Sequence, residues 1–152
     1  MSTRQKNKIG KTFFFLIFLS MPFLTDYYLP VKDLIRVPYS YIGYFILLAG
    51  IFLMYWTSII FKKAGNAYEL KGKSNKLISS GPFSFSRNPM YLGIVLFLVG
   101  LAVILGSLTA FIYPIFLFIL LNIFVIPFEE RKLEKIYSED YIIYKNRVRR
   151  WL

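Results

Sequence analysis

Two clusters hold most of the chemistry available to this 152-residue sequence. The first is the adjacent pair Glu129-Glu130, which follows directly on a stretch, 88–128, without a single charged residue. Carboxylates at the C-terminal end of an apolar helix oppose its macrodipole, and beside an anionic leaflet they gain nothing from lipid. Something must compensate them. Local i,i+3 pairing, Glu129 with Lys132 and Arg131 with Glu134, contributes only a few tenths of a kcal/mol per pair; a cationic ligand at the membrane surface is the alternative. The second cluster is SGPFSFSRNPMYLG, from Ser80 to Gly93. Gly81-Pro82 reads as a turn, and Asn88 before Pro89 reads as the N-cap and first residue of a helix. Capping does not account for Arg87 and Tyr91 at the same helix mouth, where the N-terminus already favours an anionic group such as a carboxylate or phosphate.

Composition narrows the chemistry further. With no Cys and no His, the chain has no disulfide, no thiolate nucleophile, no zinc site of the usual kind and no imidazole base. Hydrophobic residues make up 57% and aromatic residues 20% of the sequence, and the mean hydropathy is +0.53, too apolar for a small water-soluble core. The net charge of +11 would point to nucleic acid in a soluble protein. Beside such long apolar runs it fits anionic lipid and positive-inside topology instead. Anion-binding groups at one helix mouth, carboxylates at another and many aromatic rings between them suit S-adenosylmethionine, which carries a carboxylate, an ammonium, a sulfonium and an adenine. Tyr or Phe faces attract a sulfonium by cation–π interaction. Methyl transfer is an in-line displacement governed largely by positioning, so the lack of His and Cys does not exclude it. Composition alone does not single out this cofactor.

The elements that must position these clusters are helices, and the expected fold is all-α: a multi-pass transmembrane bundle with a C-terminal amphipathic cytoplasmic helix, forming one domain over 1–152. Four apolar stretches approach the roughly 20 residues of a membrane span, near 11–29, 39–61, 89–106 and 108–127. Pro22 interrupts the first and Asp26 lies near its end, which neighbouring helices can accommodate. Gly106-Ser107 is the expected turn between the last two. The basic N-terminal arm followed by Phe13 to Leu19 lacks a small-residue cleavage pattern and is read as a retained anchor. Seventeen of the 19 Lys and Arg residues fall in the arm, the 62–88 connection or the tail, leaving Lys32 and Arg36 on the other side. Both termini are therefore expected in the cytoplasm. Gly43 with Gly50, and Gly93 with Gly100, lie two turns apart on one helical face, where small residues let helices approach closely. In the tail, Leu133, Ile136, Tyr137, Tyr141, Tyr144, Val148 and Trp151 recur at spacings of three and four, with a break expected near Ser138. Asn122, a lone amide in the last span, reads as an interhelical hydrogen bond.

The string LISSGPFSFSRNPMYLG from Leu77 to Gly93, followed by FVIPFEERKLEKIYSEDYIIYKNRVRRW from Phe124 to Trp151, resembles the isoprenylcysteine carboxyl methyltransferase and phospholipid methyltransferase family of integral membrane enzymes. The resemblance covers the C-terminal half, 77–152, where such enzymes keep their cofactor site. It implies cofactor-binding roles for Gly81, Pro82, Arg87, Asn88, Pro89, Tyr91, Gly93, Glu129, Glu130, Tyr141 and Tyr144. It also implies catalytic roles for Tyr91, Arg147 and Arg150, the two arginines as groups that orient an anionic acceptor. No metal is implied. Asn88 stands where the best-known members have His, so a role requiring proton transfer from that position is in doubt.

The resulting expectation is a methyltransferase that uses S-adenosyl-L-methionine and acts on a lipophilic small molecule or lipidated acceptor. The acceptor would enter from membrane lipids at the cytoplasmic face of a cell membrane, in a chain of prokaryotic character, with no nucleic-acid partner. A carboxylate or thiol acceptor needs little help losing a proton near neutral pH, whereas a lipid ammonium must be deprotonated first. The competing reading is a non-enzymatic membrane scaffold or small transporter subunit, and it rests on Asp26.

Overall fold

In a computed structural model of the chain, the described residues are 20–22, 24, 25, 27, 28, 38–71 and 77–152, without the side chains of 65–71. Helices and turns dominate this part, and among the described residues there is no strand. Helix α1 is Tyr41–Lys71. A 3-10 turn, Gly81–Ser84, leads to α2, Pro89–Leu105. A second 3-10 turn, Leu108–Phe111, opens an unbroken helical run made of α3, Ile112–Leu120, a π-helical turn, Leu121–Val125, and α4, Ile126–Arg147. The expected first span near 11–29 falls largely outside the described residues, and Asp26 lies outside them too.

Two helical stretches are long and apolar enough to cross a bilayer, Tyr41–Ala64 and Leu108–Arg147, whereas α2 is a shorter apolar helix. In each of the two, only 17% of the most apolar window is buried inside the protein. The core helix of a water-soluble domain would be mostly buried. Phe45, Phe52 and Tyr55 on α1, and Ile112, Phe116 and Ile119 on α3, point outward with more than a third of their surface exposed, a distribution stable against lipid and costly against water. Helix α1 also continues past the expected end of its span at 61, so the first part of the 62–80 connection, through Lys71, is helical.

Glycines set the spacing of α1 and α2. The helices run antiparallel with Gly43 facing Gly100 and Gly50 facing Gly93. A Cβ on Gly50 would stand 2.6 Å from the Gly93 carbonyl oxygen, and one on Gly100 would stand 2.5 Å from the Leu47 backbone nitrogen. Backbone therefore touches backbone, and the contact gains dispersion energy that any side chain would abolish. Helix α2 stops where Gly106 adopts a left-handed conformation, φ 64° and ψ 12°, with its N–H donated to the Ala102 carbonyl at 3.1 Å. Gly106 and buried Ser107 thus form the expected turn.

The long C-terminal run is shaped by two irregularities. Pro127 supplies no N–H and its ring crowds the preceding turn. The helix widens into the π-helical turn Leu121–Val125 just before it, which absorbs the misfit. Ser138, at φ 46° and ψ −117°, then breaks α4. Beyond the break Tyr141 and Tyr144 turn inward, and Leu133, Tyr137 and Val148 join them around Phe83. Ile136, counted from its spacing among the inward positions, is 60% exposed.

Candidate functional site

The loop ahead of α2 is folded by its own short-range chemistry. Gly81 takes a left-handed φ of 62° that lets the chain reverse beside Ile60 and Trp56 of α1. Pro82 fixes the next φ and starts the 3-10 turn, which buries Pro82 and Phe83. Tyr144 reaches over from α4 and donates its hydroxyl to the Phe83 carbonyl at 2.8 Å. Buried Ser86 accepts the Asn88 N–H on its Oγ at 3.2 Å. The chain is thereby delivered to α2 with Arg87 pointing inward.

The residues after α4 return as an extended strap, 148–152, laid against this loop. Arg87 N–H donates to the Arg149 carbonyl at 3.0 Å, and the Asn88 side-chain amide donates to the Arg150 carbonyl at 3.0 Å. Asn88 therefore occupies the N-cap position of α2 without using its side chain as a cap. The expected capping is corrected: the amide is drawn off by a strap carbonyl that only the tertiary fold brings near, and the Asn88 carbonyl accepts the Leu92 N–H at 3.0 Å.

Between loop, strap and α4 lies an ionic centre. Successive helical residues point about 100° apart, so Glu129 and Glu130 face different neighbours. Glu130 is 6% exposed. Its Oε2 accepts from Arg150 Nη2 at 2.8 Å, while Oε1 accepts from Arg150 Nε at 3.2 Å and lies 3.1 Å from Arg87 Nη1. The Glu130 carboxylate in turn holds the Arg150 guanidinium more firmly protonated than an ordinary arginine. Glu129 is exposed and accepts a hydrogen bond from the Tyr91 hydroxyl at 2.8 Å. Neither local i,i+3 pair forms: Glu134 pairs with Lys145 at 2.6 Å, and Lys132 sits 4.2 Å over the Phe128 ring. The carboxylates are compensated across the fold instead.

Arg87 is the unusual member. Its side chain is only 10% exposed, yet buried Nε has no hydrogen-bond partner, and Nη1 faces Glu130 without the alignment of a hydrogen bond. A buried guanidinium with unused donors is costly unless something completes it. Arg87 borders two adjoining crevices of about 190 and 130 Å³. Phe61, Phe83, Asn88 and Glu129 line both. Pro89, Met90 and Tyr91 close the first; the second extends past Glu130 to Leu133, Tyr137, Tyr141 and Tyr144. Together they approach the lower end of the volumes typical of small-molecule sites, with the apolar walls and few polar groups such sites show.

Most residues singled out from sequence thus meet at one place: Arg87, Asn88, Pro89, Tyr91, Glu129, Glu130, Tyr141 and Tyr144 line the crevices. Others stand apart. Gly93 lies in the α1–α2 contact, where a Cβ would stand 2.7 Å from Met54 Cγ, and Gly81 and Pro82 shape the loop from behind. Arg147 borders a third crevice with Asp140 and Ser79, which meets the second at Leu77 and Tyr144. Arg150 has its guanidinium occupied by Glu130 and by Asn122, whose Oδ1 accepts from Nη1 at 3.2 Å. Sequence reasoning missed Phe61 and Phe83, which carry no signal beyond being aromatic. It also missed that Trp151 Nε1 donates to Asn122 Oδ1 at 3.3 Å, although a lone amide in an apolar run marked Asn122 as a hydrogen-bonding position.

A helical membrane protein with an acid–base cluster and an aromatic crevice at one end of its apolar helices defines a class, and sequence comparison narrows it. The phospholipid methyltransferase family model matches residues 39–140, and the chain belongs to that family. It is 33% identical over 101 residues to the protein-S-isoprenylcysteine O-methyltransferase of Saccharomyces cerevisiae, a match covering 62% of this chain and 41% of the yeast protein. It is 38% identical over 63 residues to an uncharacterised Haemophilus influenzae protein, covering 41% of this chain and all of that one. The chain thus spans about two fifths of the yeast enzyme's length. No solved structure matches it.

Proposed function

We propose that the protein transfers a methyl group from S-adenosyl-L-methionine to a lipophilic acceptor at the cytoplasmic membrane face, in the manner of isoprenylcysteine carboxyl methyltransferases. The observation that carries this reading is the pairing, in one aromatic crevice, of a buried guanidinium with unused donors, Arg87, and an exposed carboxylate, Glu129. These are the complements of the two ends of an amino acid. Arg87 would hold the cofactor's carboxylate and Glu129 its ammonium, each by charge-assisted hydrogen bonds. When bound, the cofactor would supply an electrophilic methyl carbon on a sulfonium, its carbon–sulfur bond exchanged for a bond to the acceptor's nucleophile with a neutral thioether as leaving group.

The chain's own part is positional. Tyr91 holds Glu129 in place through its hydroxyl. Phe61, Phe83 and Tyr137 wall the crevice with ring surfaces that exclude water and favour a cation. Asn88 binds the strap and exchanges no proton, which suits an acceptor already ionised near neutral pH, such as a carboxylate, before one that must first lose a proton. The yeast relative, named as an O-methyltransferase of isoprenylcysteine, supports an oxygen acceptor. The charge distribution supports four spans with both termini in the cytoplasm, the tail helix lying at that surface with Tyr141 and Tyr144 turned inward and its charges toward water.

Incubating membranes that contain the protein with methyl-tritiated S-adenosylmethionine tests this reading. Label should enter the organic-extractable fraction above membranes lacking the protein, and the Glu129→Gln variant should lose most of it. Equal incorporation with and without the protein, against prenylcysteine analogues and total lipid alike, would sink the proposal.

A further inference from the structure

One polar residue on the apolar run of α3 and the π-helical turn has so far been given no task. Asn122 lies within Leu121–Val125, and its Oδ1 accepts two hydrogen bonds from the strap, from Arg150 Nη1 at 3.2 Å and from Trp151 Nε1 at 3.3 Å. The Trp151 ring packs on Phe118, one helical turn earlier, with centroids 4.8 Å apart. A polar side chain at such a position is expensive to keep and is by default a functional candidate. Its two donors both belong to the strap, and one of them is the arginine that occupies both oxygens of Glu130.

That occupancy decides what Arg87 is free to do. With Arg150 seated on Glu130 from Nε and Nη2, Arg87 approaches Oε1 only at 3.1 Å and unaligned, so its Nε stays unpartnered beside the crevice. Were Arg150 to leave, Glu130 would have both oxygens available, and the nearest guanidinium is that of Arg87. A bidentate Arg87–Glu130 pair would then take up the donors of Arg87 that now have no partner.

We propose that Asn122 is a positioning residue for the cofactor site: by clipping Arg150 and Trp151 it keeps Arg150 on Glu130 and so keeps Arg87 available to an anionic ligand in the crevice. This rests on the methyltransferase reading, since the ligand whose carboxylate Arg87 would take is the cofactor. The role is indirect, because Asn122 touches neither crevice.

The test uses the full chain in detergent with Trp56→Phe, which leaves Trp151 as the only tryptophan of the two, and S-adenosylhomocysteine as the titrant. Asn122→Leu should raise the dissociation constant about tenfold, the worth of one lost charge-assisted hydrogen bond, and should shift Trp151 emission to the red as the indole leaves Asn122 and Phe118. Asn122→Asp retains the acceptor and should bring both readouts back to within about threefold of the parent and to the parental spectrum. A packing role predicts the reverse order, with leucine tolerated and aspartate not. If Asn122→Leu melts too low to purify, Arg150→Gln frees Glu130 from the other end and should show the same tenfold weakening. Parental affinity in the leucine variant, weakened binding with an unmoved Trp151 spectrum, or aspartate no better than leucine would each overturn the role. If neither the unaltered protein nor its Trp56→Phe form binds the titrant, the methyltransferase reading fails and takes this role with it, while the Trp151 spectra still report whether the clip exists.

Discussion

The α1–α2 contact and the junction of loop, α4 and strap are held by opposite means. In the first, Gly43, Gly50, Gly93 and Gly100 leave out their own side chains so that backbone meets backbone, and shape fixes the spacing. In the second, Glu130, Arg87, Arg150 and Asn122 fix the spacing by charge and hydrogen bonds, and leave donors unused. A shape contact tolerates no added atom but is indifferent to charge. A charge contact tolerates small changes of volume but not of ionisation. The fold and the candidate site should therefore fail under different substitutions.

The largest expected effect lies in the glycine contact. Gly50→Leu places a side chain where even a Cβ would stand 2.6 Å from a backbone oxygen. The helices must separate, at a cost of at least about 3 kcal/mol, and the variant should melt far below the parent or fail to purify as a monodisperse species. Glu130→Gln comes next. Removing the charge between two guanidinium groups should cost about 2 to 3 kcal/mol, less than for a fully enclosed pair because a third of the Arg150 side chain is exposed. Both melting temperature and cofactor binding should fall.

Glu129→Gln separates site from fold. Glu129 is exposed, so stability should stay within about 0.5 kcal/mol, while affinity for S-adenosylhomocysteine should fall about 10- to 100-fold with the loss of one charge-assisted hydrogen bond. Tyr91→Phe removes only the hydroxyl that orients Glu129, and a loss of about threefold in affinity is expected. Arg147→Ala should change cofactor affinity least of all, because Arg147 borders a third crevice that meets the second only at Leu77 and Tyr144. A clear loss there would mean that the third crevice belongs to the same site.

The contrast also explains what was legible in the sequence. The Gly106-Ser107 turn, the helix mouth at Pro89 and the glycine faces announce themselves by local rules of turn and period, and the structure has them at those residues. Glu129 and Glu130 stand out as charges ending an apolar run, and Arg87 by its place before a helix. The partners were not legible. Whether Asn88 caps its own helix or binds the Arg150 carbonyl depends on a strap 62 residues away. Asn122 looks like any interhelical amide until Arg150 and Trp151 arrive at it, and the widening at Leu121–Val125 is a response to Pro127 that no periodicity encodes. Ile136 shares the spacing of the inward residues and yet faces outward, on a helix that breaks two residues later at Ser138.

The central claim is that Arg87 and Glu129 form the two poles of one cofactor crevice. Calorimetric titration of S-adenosylhomocysteine into the purified protein and its Glu129→Gln variant addresses it most directly. The account predicts saturable one-to-one binding by the parent and binding weakened at least tenfold in the variant, with melting temperatures that agree. No heat of binding in the parent, or equal affinity in the two proteins, would contradict it.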